Sequence, residues 1–280
     1  MTSDGRRSGP PSHAHRLSLS VKPASYSLFS FLLFPLFVEA QSQDNAARIS
    51  QLIVEADTFA DKTFDNKKAL EKYQEALSLD SLNYEVLWKI SRSSVIIGEH
   101  LPAITDEQKE GQLQAYEEAV RYAEKAILVN PNGSMGYTER AAANSWVALF
   151  KNIWKSSGLM NDIREDCGKA IDLDPKNAQA YDILGRAHLR LSQRMKLFRW
   201  PFGIAWGNTD DAALYFEKAI SIQPNFISYR IDAARAHIEN KEYQKARDHL
   251  SVISTLPTLS EDDERLRKEA ADLLEQIKNK

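Results

Sequence analysis

The most nucleophilic side chain of proteins, the cysteine thiol, is scarce in this sequence. Cys167 is the single cysteine among 280 residues, which excludes a disulfide framework and a zinc site built from cysteines. It occupies the large-apolar position of a helical pattern that recurs along the chain, so it is predicted to be a small buried residue. A catalytic thiol would instead need a neighbouring cation and access to solvent.

Two of the six histidines, His188 and His237, occupy equivalent positions in neighbouring segments. This repetition favours packing between helices over metal binding. A metal site would require convergent carboxylates or further histidines, and His249 is the only other histidine nearby along the chain. We therefore expect no bound metal.

An acidic run, Glu261-Asp262-Asp263-Glu264, has the charge to bind a cation but lacks the spacing and central glycine of a calcium loop. It is predicted to open a helix, because acidic side chains stabilise the first turn. The sequence also lacks G-x-S-x-G, H-E-x-x-H and a Gly-rich phosphate loop. We expect no catalytic residues and no cofactor.

The stretch Lys196–Trp206, KLFRWPFGIAW, combines aromatic residues with cations. It predicts an aromatic arm formed by Phe198, Trp200, Phe202 and Trp206. One interpretation is a lid or a partner-binding arm, with membrane contact as a further option. The other is a small apolar cluster tucked against the wall of the protein.

The overall composition is that of a helical protein with little net charge. Lys and Arg total 36 and Asp and Glu total 39, so the formal net charge is −3 and a nucleic-acid partner is not expected. Eleven glycines are few for this length, which disfavours multi-stranded β folds with tight turns. From Asp44 onward, good helix formers dominate and apolar residues return every three or four positions. This pattern predicts an all-α protein.

The helices repeat an internal pattern with apolar residues at offsets 0, 4 and 7, followed in three of five cases by a proline at offset 12. These offsets form one stripe along a helix, and its small residues let a neighbouring helix approach closely. The proline ends the helix. The five sets are Ala69, Tyr73 and Ala76; Ala119, Ala123 and Ala126 with Pro131; Ile163, Cys167 and Ala170 with Pro175; Ala212, Phe216 and Ala219 with Pro224; and Ala246, Leu250 and Ile253.

The helix before each stripe has its own pattern, seen in Tyr181, Leu184, Gly185 and His188. Together the two helices resemble the tetratricopeptide repeat (TPR) over about residues 66–257. The resemblance implies a right-handed helical-hairpin solenoid, a TPR-like superhelix. The expected domains are an N-terminal helix (41–65), TPR-like repeats (66–258) and a C-terminal helix (259–280).

The spacing of the repeats is irregular. The stripes recur at intervals of 50, 44, 49 and 34 residues, so only the last interval is that of a plain repeat. The extra residues fall between the two helices of a pair, where they lengthen helices or form loops. The expected inserts lie around 98–112, 151–161 and 192–209.

Several segments resemble the regulator of microtubule dynamics family. They are LWKISRSS, TDEQK, GLMNDIREDC, the basic-aromatic stretch before PNF, and the acidic run after Ser260. The resemblance spans about residues 65–278 and implies a tetratricopeptide-like protein. The family name implies microtubule association, whereas similar chains with signal peptides occur in bacteria, where an exported protein would meet no microtubule.

The tetratricopeptide resemblance also assigns a groove, because the first helix of each pair lines the concave surface in that family. Position 5 of this helix gives Trp88; position 9 gives Arg92, Arg186 and Arg235; position 13 gives Arg190. Repeated arginines on a net acidic chain predict a basic, partly aromatic groove for an acidic peptide or a C-terminal carboxylate. The alternative is that the arginines form stabilising pairs with Asp182, Glu85 or Asp232.

Residues 1–40 differ from the rest and are predicted to be a secretory signal segment. Eleven mostly apolar residues, Leu28–Val38, precede small residues at 38 and 40, which predicts cleavage after Ala40. A transmembrane helix would need about 20 apolar residues. The charge-then-apolar layout begins at Val21, which favours a translation start there and makes 1–20 an upstream extension; a long n-region is the alternative. A mitochondrial or membrane-anchor role for the segment stays open.

These features predict a non-catalytic protein–protein interaction scaffold exported to the periplasm or cell envelope. Its partner would be a protein or peptide, with an acidic one favoured. One alternative is a membrane-anchored, microtubule-associated regulator in a eukaryote. Another is an enzyme that uses residues 196–206 as a lid.

Overall fold

The computed structural model describes residues 29–150 and 156–280, with side chains from Gln43 onward. The chain divides between Gln43 and Asp44 into two compact units. Of the predicted signal segment 1–40, positions 1–28 lie outside the described residues. The first helix begins at Phe29 rather than at the expected residue 41. None of the described helices combines the length and apolar character needed to cross a membrane.

Across the described ranges, the regular secondary structure is helical. Two short 3₁₀ helices, Trp200–Phe202 and Ile253–Thr255, accompany the α-helices. In chain order the α-helices are α1 (Phe29–Lys62), α2 (Asn66–Leu79), α3 (Tyr84–Glu99), α4 (Asp106–Val129), α5 (Ser134–Phe150), α6 (Ser157–Leu173), α7 (Ala178–Ser192), α8 (Lys196–Arg199), α9 (Thr209–Ile222), α10 (Ile227–Glu239), α11 (Tyr243–Ser251) and α12 (Asp263–Gln276).

Consecutive helices pack as pairs, and the pairs stack on one another. Helix α3 contacts α4, α5 contacts α6, α7 contacts α9, and α10 contacts α11. The first helices of successive pairs also touch, α3 with α5, α5 with α7, and α7 with α10, while α12 packs on α10 and α11. This arrangement confirms the predicted all-α helical solenoid.

The predicted stripe of each second helix lies in the core. All fifteen stripe residues are buried, and most of the alanines among them are fully inaccessible to solvent. Helices α4, α6 and α9 are followed by the C-cap residues Asn130, Asp174 and Gln223, each of which directly precedes a predicted proline. The backbone N–H of each of these residues donates to the carbonyl four residues earlier, as in a last helical turn.

The inserts differ in form. The first lengthens a helix, since α4 has 24 residues whereas α2 has 14. It starts with a capping box in which Thr105 and Gln108 bond to each other's backbone N–H groups. In the second insert, residues 151–155 lie outside the described residues. The third is a loop that carries α8 and the 3₁₀ helix at 200–202.

The acidic run opens helix α12, as expected. The Asp263 carboxylate accepts bonds from the backbone N–H of Leu259 and Ser260, at 2.6 and 3.0 Å, and from the Ser260 hydroxyl at 2.8 Å. Its side chain is therefore occupied in closing the turn before the helix.

Helices α7 and α9 of one pair approach each other closely at Gly185. A Cβ atom at this position of α7 would lie 2.7 Å from Cε1 of Phe216 in α9. We expect Gly185→Ala to lower the free energy of unfolding by about 1–3 kcal/mol, because the ring or the helix must move. Gly168, on α6, has nothing within 4 Å of such an atom. Gly168→Ala should therefore be neutral or stabilising by up to about 1 kcal/mol. Chemical denaturation followed by circular dichroism measures both, and an equally stable Gly185→Ala protein would contradict the close contact.

Candidate functional site

A cavity of about 530 Å³ is lined by the first helices of four pairs, α3, α5, α7 and α10, and by Met160 and Ile163 of the second helix α6. Four of the predicted groove residues line it: Arg92 from α3, Arg186 and Arg190 from α7, and Arg235 from α10. Trp88 is outside this lining, and its ring lies 4.8 Å from Cζ of Arg92. The repeat register thus brings four arginines to one place, while their role in binding stays a prediction.

Arg92 links three successive first helices. Its Nε and Nη2 atoms donate to Oε1 of Glu139 on α5, at 3.0 and 2.7 Å, and Nη2 also donates to Oε1 of Gln179 on α7 at 2.8 Å. Glu139 is 1% exposed. Burial raises the pKa of this carboxyl, and Arg92 opposes the shift. Sequence analysis did not identify Glu139 or Gln179, although Glu139 directly follows groove position 5 of its helix.

Arg186 and Arg235 share a buried acidic residue. Nη2 of Arg186 lies 2.8 Å from Oδ2 of Asp182, and its Nε lies 4.0 Å from Asp232. Nη1 of Arg235 lies 2.7 Å from Oδ1 of Asp232, and its Nη2 pairs with Glu269. These ion pairs therefore fix the positions of both guanidinium groups.

These pairs match part of the stabilising alternative. Asp182 and Asp232 are indeed partners of the arginines, whereas Glu85 lies 3.5 Å from Lys89 instead. The Arg186 side chain is nevertheless 49% exposed, against 3% for Asp182. Each arginine can therefore keep a buried partner and still present part of its guanidinium group to the cavity.

Arg190 differs from the other three arginines. Within the described ranges it forms no ion pair, and its Nη2 donates to the carbonyl of Ala148 at 3.4 Å. Burial and the nearby Arg194 lower its pKa. Arg190 is therefore a cation that lines the cavity without an acidic partner in the described part of the chain.

Glu99 adds a titratable carboxyl to the same cavity. Burial raises its pKa to about 7; Asp262 acts in the same direction, while Arg186, His100 and a hydrogen bond with Trp146 oppose it. A large part of the Glu99 population is therefore uncharged at neutral pH. The cavity is then more positive than it would be with Glu99 fully ionised.

Cys167 and His188 are core residues, as predicted. Cys167 is fully buried, and burial raises the pKa of its thiol. The His188 ring packs between aromatic rings, with centroid distances of 4.8 Å to Trp206 and 5.2 Å to Tyr215. Burial lowers the pKa of His188 to about 4, so its ring is neutral at pH 7.

His237 has different surroundings from His188. Its ring and that of His249 both contact the carboxylate of Glu217, which sequence analysis did not identify. This is the convergence of histidines and a carboxylate that a metal site requires.

The residues of the predicted aromatic arm lie in two different environments, one packed inward and the other exposed to solvent. The Trp206 indole donates to Oδ1 of Asn161 at 3.0 Å and packs on His188, as expected for a tucked cluster. Phe198, Trp200 and Phe202 are exposed, Trp200 by 75%. The buried Arg199 guanidinium fixes this loop through three backbone carbonyls, those of Arg194, Ile204 and Gly207. Residues 196–206 are absent from the cavity lining, so the geometry gives no support to a lid.

Glu99 should make stability depend on pH. Its folded-state pKa of about 7 lies above the ordinary value of 4.5, so the stability that its protonated form contributes is lost as pH rises through that interval. Between pH 5 and pH 8 the free energy of unfolding should fall less in Glu99→Gln than in the wild type. The two decreases should differ by on the order of 1–2 kcal/mol. Urea denaturation across that range measures the change. Glu118→Gln, at an exposed position of α4, is the control, and identical pH profiles for wild type and Glu99→Gln would contradict the raised pKa.

Comparison with solved structures supports the repeat architecture. The chain is similar to TTC0263, a TPR protein of Thermus thermophilus, with a TM-score of 0.58 and 16% identity over 81% of this chain and 98% of that one. It is also similar to PilF of Pseudomonas aeruginosa, with a TM-score of 0.50 and 13% identity over 84% of this chain and 90% of that one. At these identities the likeness shows the fold alone.

Comparison with protein sequences identifies the family. Regulator of microtubule dynamics protein 1 from Pongo abelii is 25% identical over 266 residues, covering 92% of this chain and 82% of that protein. The Caenorhabditis elegans protein of the same name is 22% identical over 231 residues, covering 77% of this chain and 96% of that protein. The family model described as regulator of microtubule dynamics protein 1-3 matches residues 52–278, which include every repeat and the whole cavity lining. The chain therefore belongs to the regulator of microtubule dynamics protein 1-3 family.

Proposed function

We propose that this protein is a non-catalytic scaffold whose cavity binds an acidic protein segment. The carrying observation is Arg190, a cavity-lining cation that has no acidic partner among the described residues. It lies four residues after Arg186 on one face of α7. A carboxylate that enters the cavity would meet both guanidinium groups and form charge-assisted hydrogen bonds there.

The remaining lining indicates what accompanies the carboxylate. Val95, Trp146, Leu149 and Met160 form an apolar part of the wall. A bound segment would therefore carry an apolar side chain beside its acidic group. Glu139 and Asp232 also line the cavity, but both are engaged by arginines. The lining thus holds four arginines against three carboxylates, those of Glu99, Glu139 and Asp232.

Arg190→Gln tests the proposed binding site. The probe is a labelled hexapeptide of glutamate and leucine with a free C-terminal carboxylate, and fluorescence anisotropy measures its affinity for the full chain. We expect the affinity of the variant for the probe to be at least tenfold lower than that of the wild type, since a charge-assisted hydrogen bond contributes roughly 1.5–3 kcal/mol. The melting temperature should stay nearly constant, because Arg190 holds no carboxylate of its own. Added salt should weaken binding to the wild type.

Arg194→Gln is the matched control, since it removes the same charge from an exposed position that is outside the cavity lining. Its affinity for the probe should stay close to that of the wild type. Equal affinity for Arg190→Gln and Arg194→Gln would contradict the proposal. Arg186 is a poorer choice for this test, because its removal leaves Asp182 buried without a partner and lowers stability.

We further propose that the mature protein acts after export, in the periplasm or cell envelope. The apolar run Leu28–Val38 and the small residues at 38 and 40 support this proposal. The animal relatives favour a second candidate, a membrane-anchored regulator of microtubules, because each is named a regulator of microtubule dynamics.

The N-terminus of the protein purified from its own source separates the two candidates. Export predicts a first residue of Gln41, found by N-terminal sequencing. A retained segment 28–38 in a membrane fraction, together with sedimentation of the protein with polymerised tubulin, would contradict export and support the second candidate.

A further inference from the structure

Three helices bring two histidines and a carboxylate to one point away from the cavity. Oε1 of Glu217, on α9, lies 3.1 Å from Nε2 of His237, on α10, and 2.8 Å from Nε2 of His249, on α11. One atom from each residue lies within 4.8 Å of the other two. None of the three residues lines the cavity.

The two separations between Glu217 and the histidines are close to those of ligand atoms around a small cation, and no separation in the set exceeds 4.8 Å. With zinc–ligand distances of about 2.0–2.1 Å, tetrahedral geometry places neighbouring ligand atoms about 3.3 Å apart. The two imidazoles are largely removed from water, with 4% of His237 and 12% of His249 exposed, whereas Glu217 is 45% exposed. Zinc is bound in other proteins by two imidazoles and one carboxylate. In such sites the fourth coordination position is left for water or a further ligand.

A second carboxylate orients one of the histidines. Nδ1 of His237 lies 2.7 Å from Oε2 of Glu242, which directs Nε2 of the same ring toward Glu217. Histidine ligands commonly donate their other ring N–H to a carboxylate in this way. The His249 ring is parallel to that of His237, with centroids 5.5 Å apart.

The preceding repeat shows what this position looks like without the cluster. His188 is the repeat equivalent of His237, Tyr215 that of His249, and Gly168 that of Glu217. There the histidine packs against Tyr215 at 5.2 Å as an aromatic neighbour. Helix packing at this point therefore requires neither the second histidine nor the glutamate, yet α11 carries His249 and α9 carries Glu217.

We propose that Glu217, His237 and His249 bind a divalent transition metal, for which Zn²⁺ is the cation that best suits the donor set. The metal would be bound through Nε2 of each histidine and a Glu217 oxygen. It would join the second helix of one repeat to both helices of the next. Such a site stabilises the contact between neighbouring repeats, on which a solenoid depends.

The test uses the full chain, freed of metal with a chelator and titrated with ZnCl₂ in a calorimeter. We expect one high-affinity zinc per chain and a zinc-dependent rise in melting temperature. His249→Tyr introduces the residue that the preceding repeat carries at this position, so the variant should fold. It should bind zinc at least tenfold more weakly and lose the rise in melting temperature.

Further variants separate this site from other histidines. His188→Gln, and the double variant His13→Ala/His15→Ala, should keep the wild-type zinc affinity. Glu242→Ala should weaken it by about tenfold, as expected for a residue that orients a ligand. Co²⁺ in place of Zn²⁺ should give the visible absorption of a four-coordinate site in the wild type and not in His249→Tyr. Absence of zinc binding in the wild type, or equal affinity in wild type and His249→Tyr, would overturn the proposal.

Discussion

The close approach of neighbouring helices at small residues is the constraint on which this structure depends. Alanines of the stripe in each second helix are buried, and Gly185 has no room for a Cβ atom beside Phe216. The hydroxyl of Ser91 can even donate across helices to the carbonyl of Ala119, at 2.8 Å. A larger side chain at these points would separate the helices and, with them, every residue that they align.

The cavity is a consequence of this packing. Because first helices of successive pairs lie side by side, residues at one repeat position come together although they are far apart in sequence, with Arg92 and Arg186 separated by 94 positions and Arg186 and Arg235 by 49. Arg92, Arg186 and Arg235 meet in this way, and Glu139 and Asp232 are buried beneath them. An unpaired buried carboxylate would be costly, so the arginines both stabilise the stack and supply cations to its surface.

Stacked repeats also allow one position to change its chemistry without a change of fold. The position of His188 is a packing site between Trp206 and Tyr215. The equivalent His237 lies among Glu217, Glu242 and His249. His188 and His237 occupy equivalent positions on first helices, so the neighbouring side chains decide whether such a position packs, pairs or binds.

The sequence by itself determined the repeat, because its signals are local. The alanine stripe marks the face of a helix that a neighbouring helix covers, and the proline marks where that helix ends. From that register it also placed Arg92, Arg186, Arg190 and Arg235 on equivalent faces, and it predicted a buried Cys167. It also placed Trp88 in the groove, at position 5, whereas in the structure Trp88 lies outside the cavity lining.

Only the tertiary structure decided which groups meet across helices. Glu139 and Gln179 reach Arg92, Glu217 reaches two histidines, and Trp206 turns inward while Trp200 stays exposed. Helical periodicity fixes the face on which a side chain lies, but distances between faces depend on the length of each insert and on the packing of the whole stack. Those distances, and with them the ion pairs and pKa values, follow from contacts between residues that are remote in sequence.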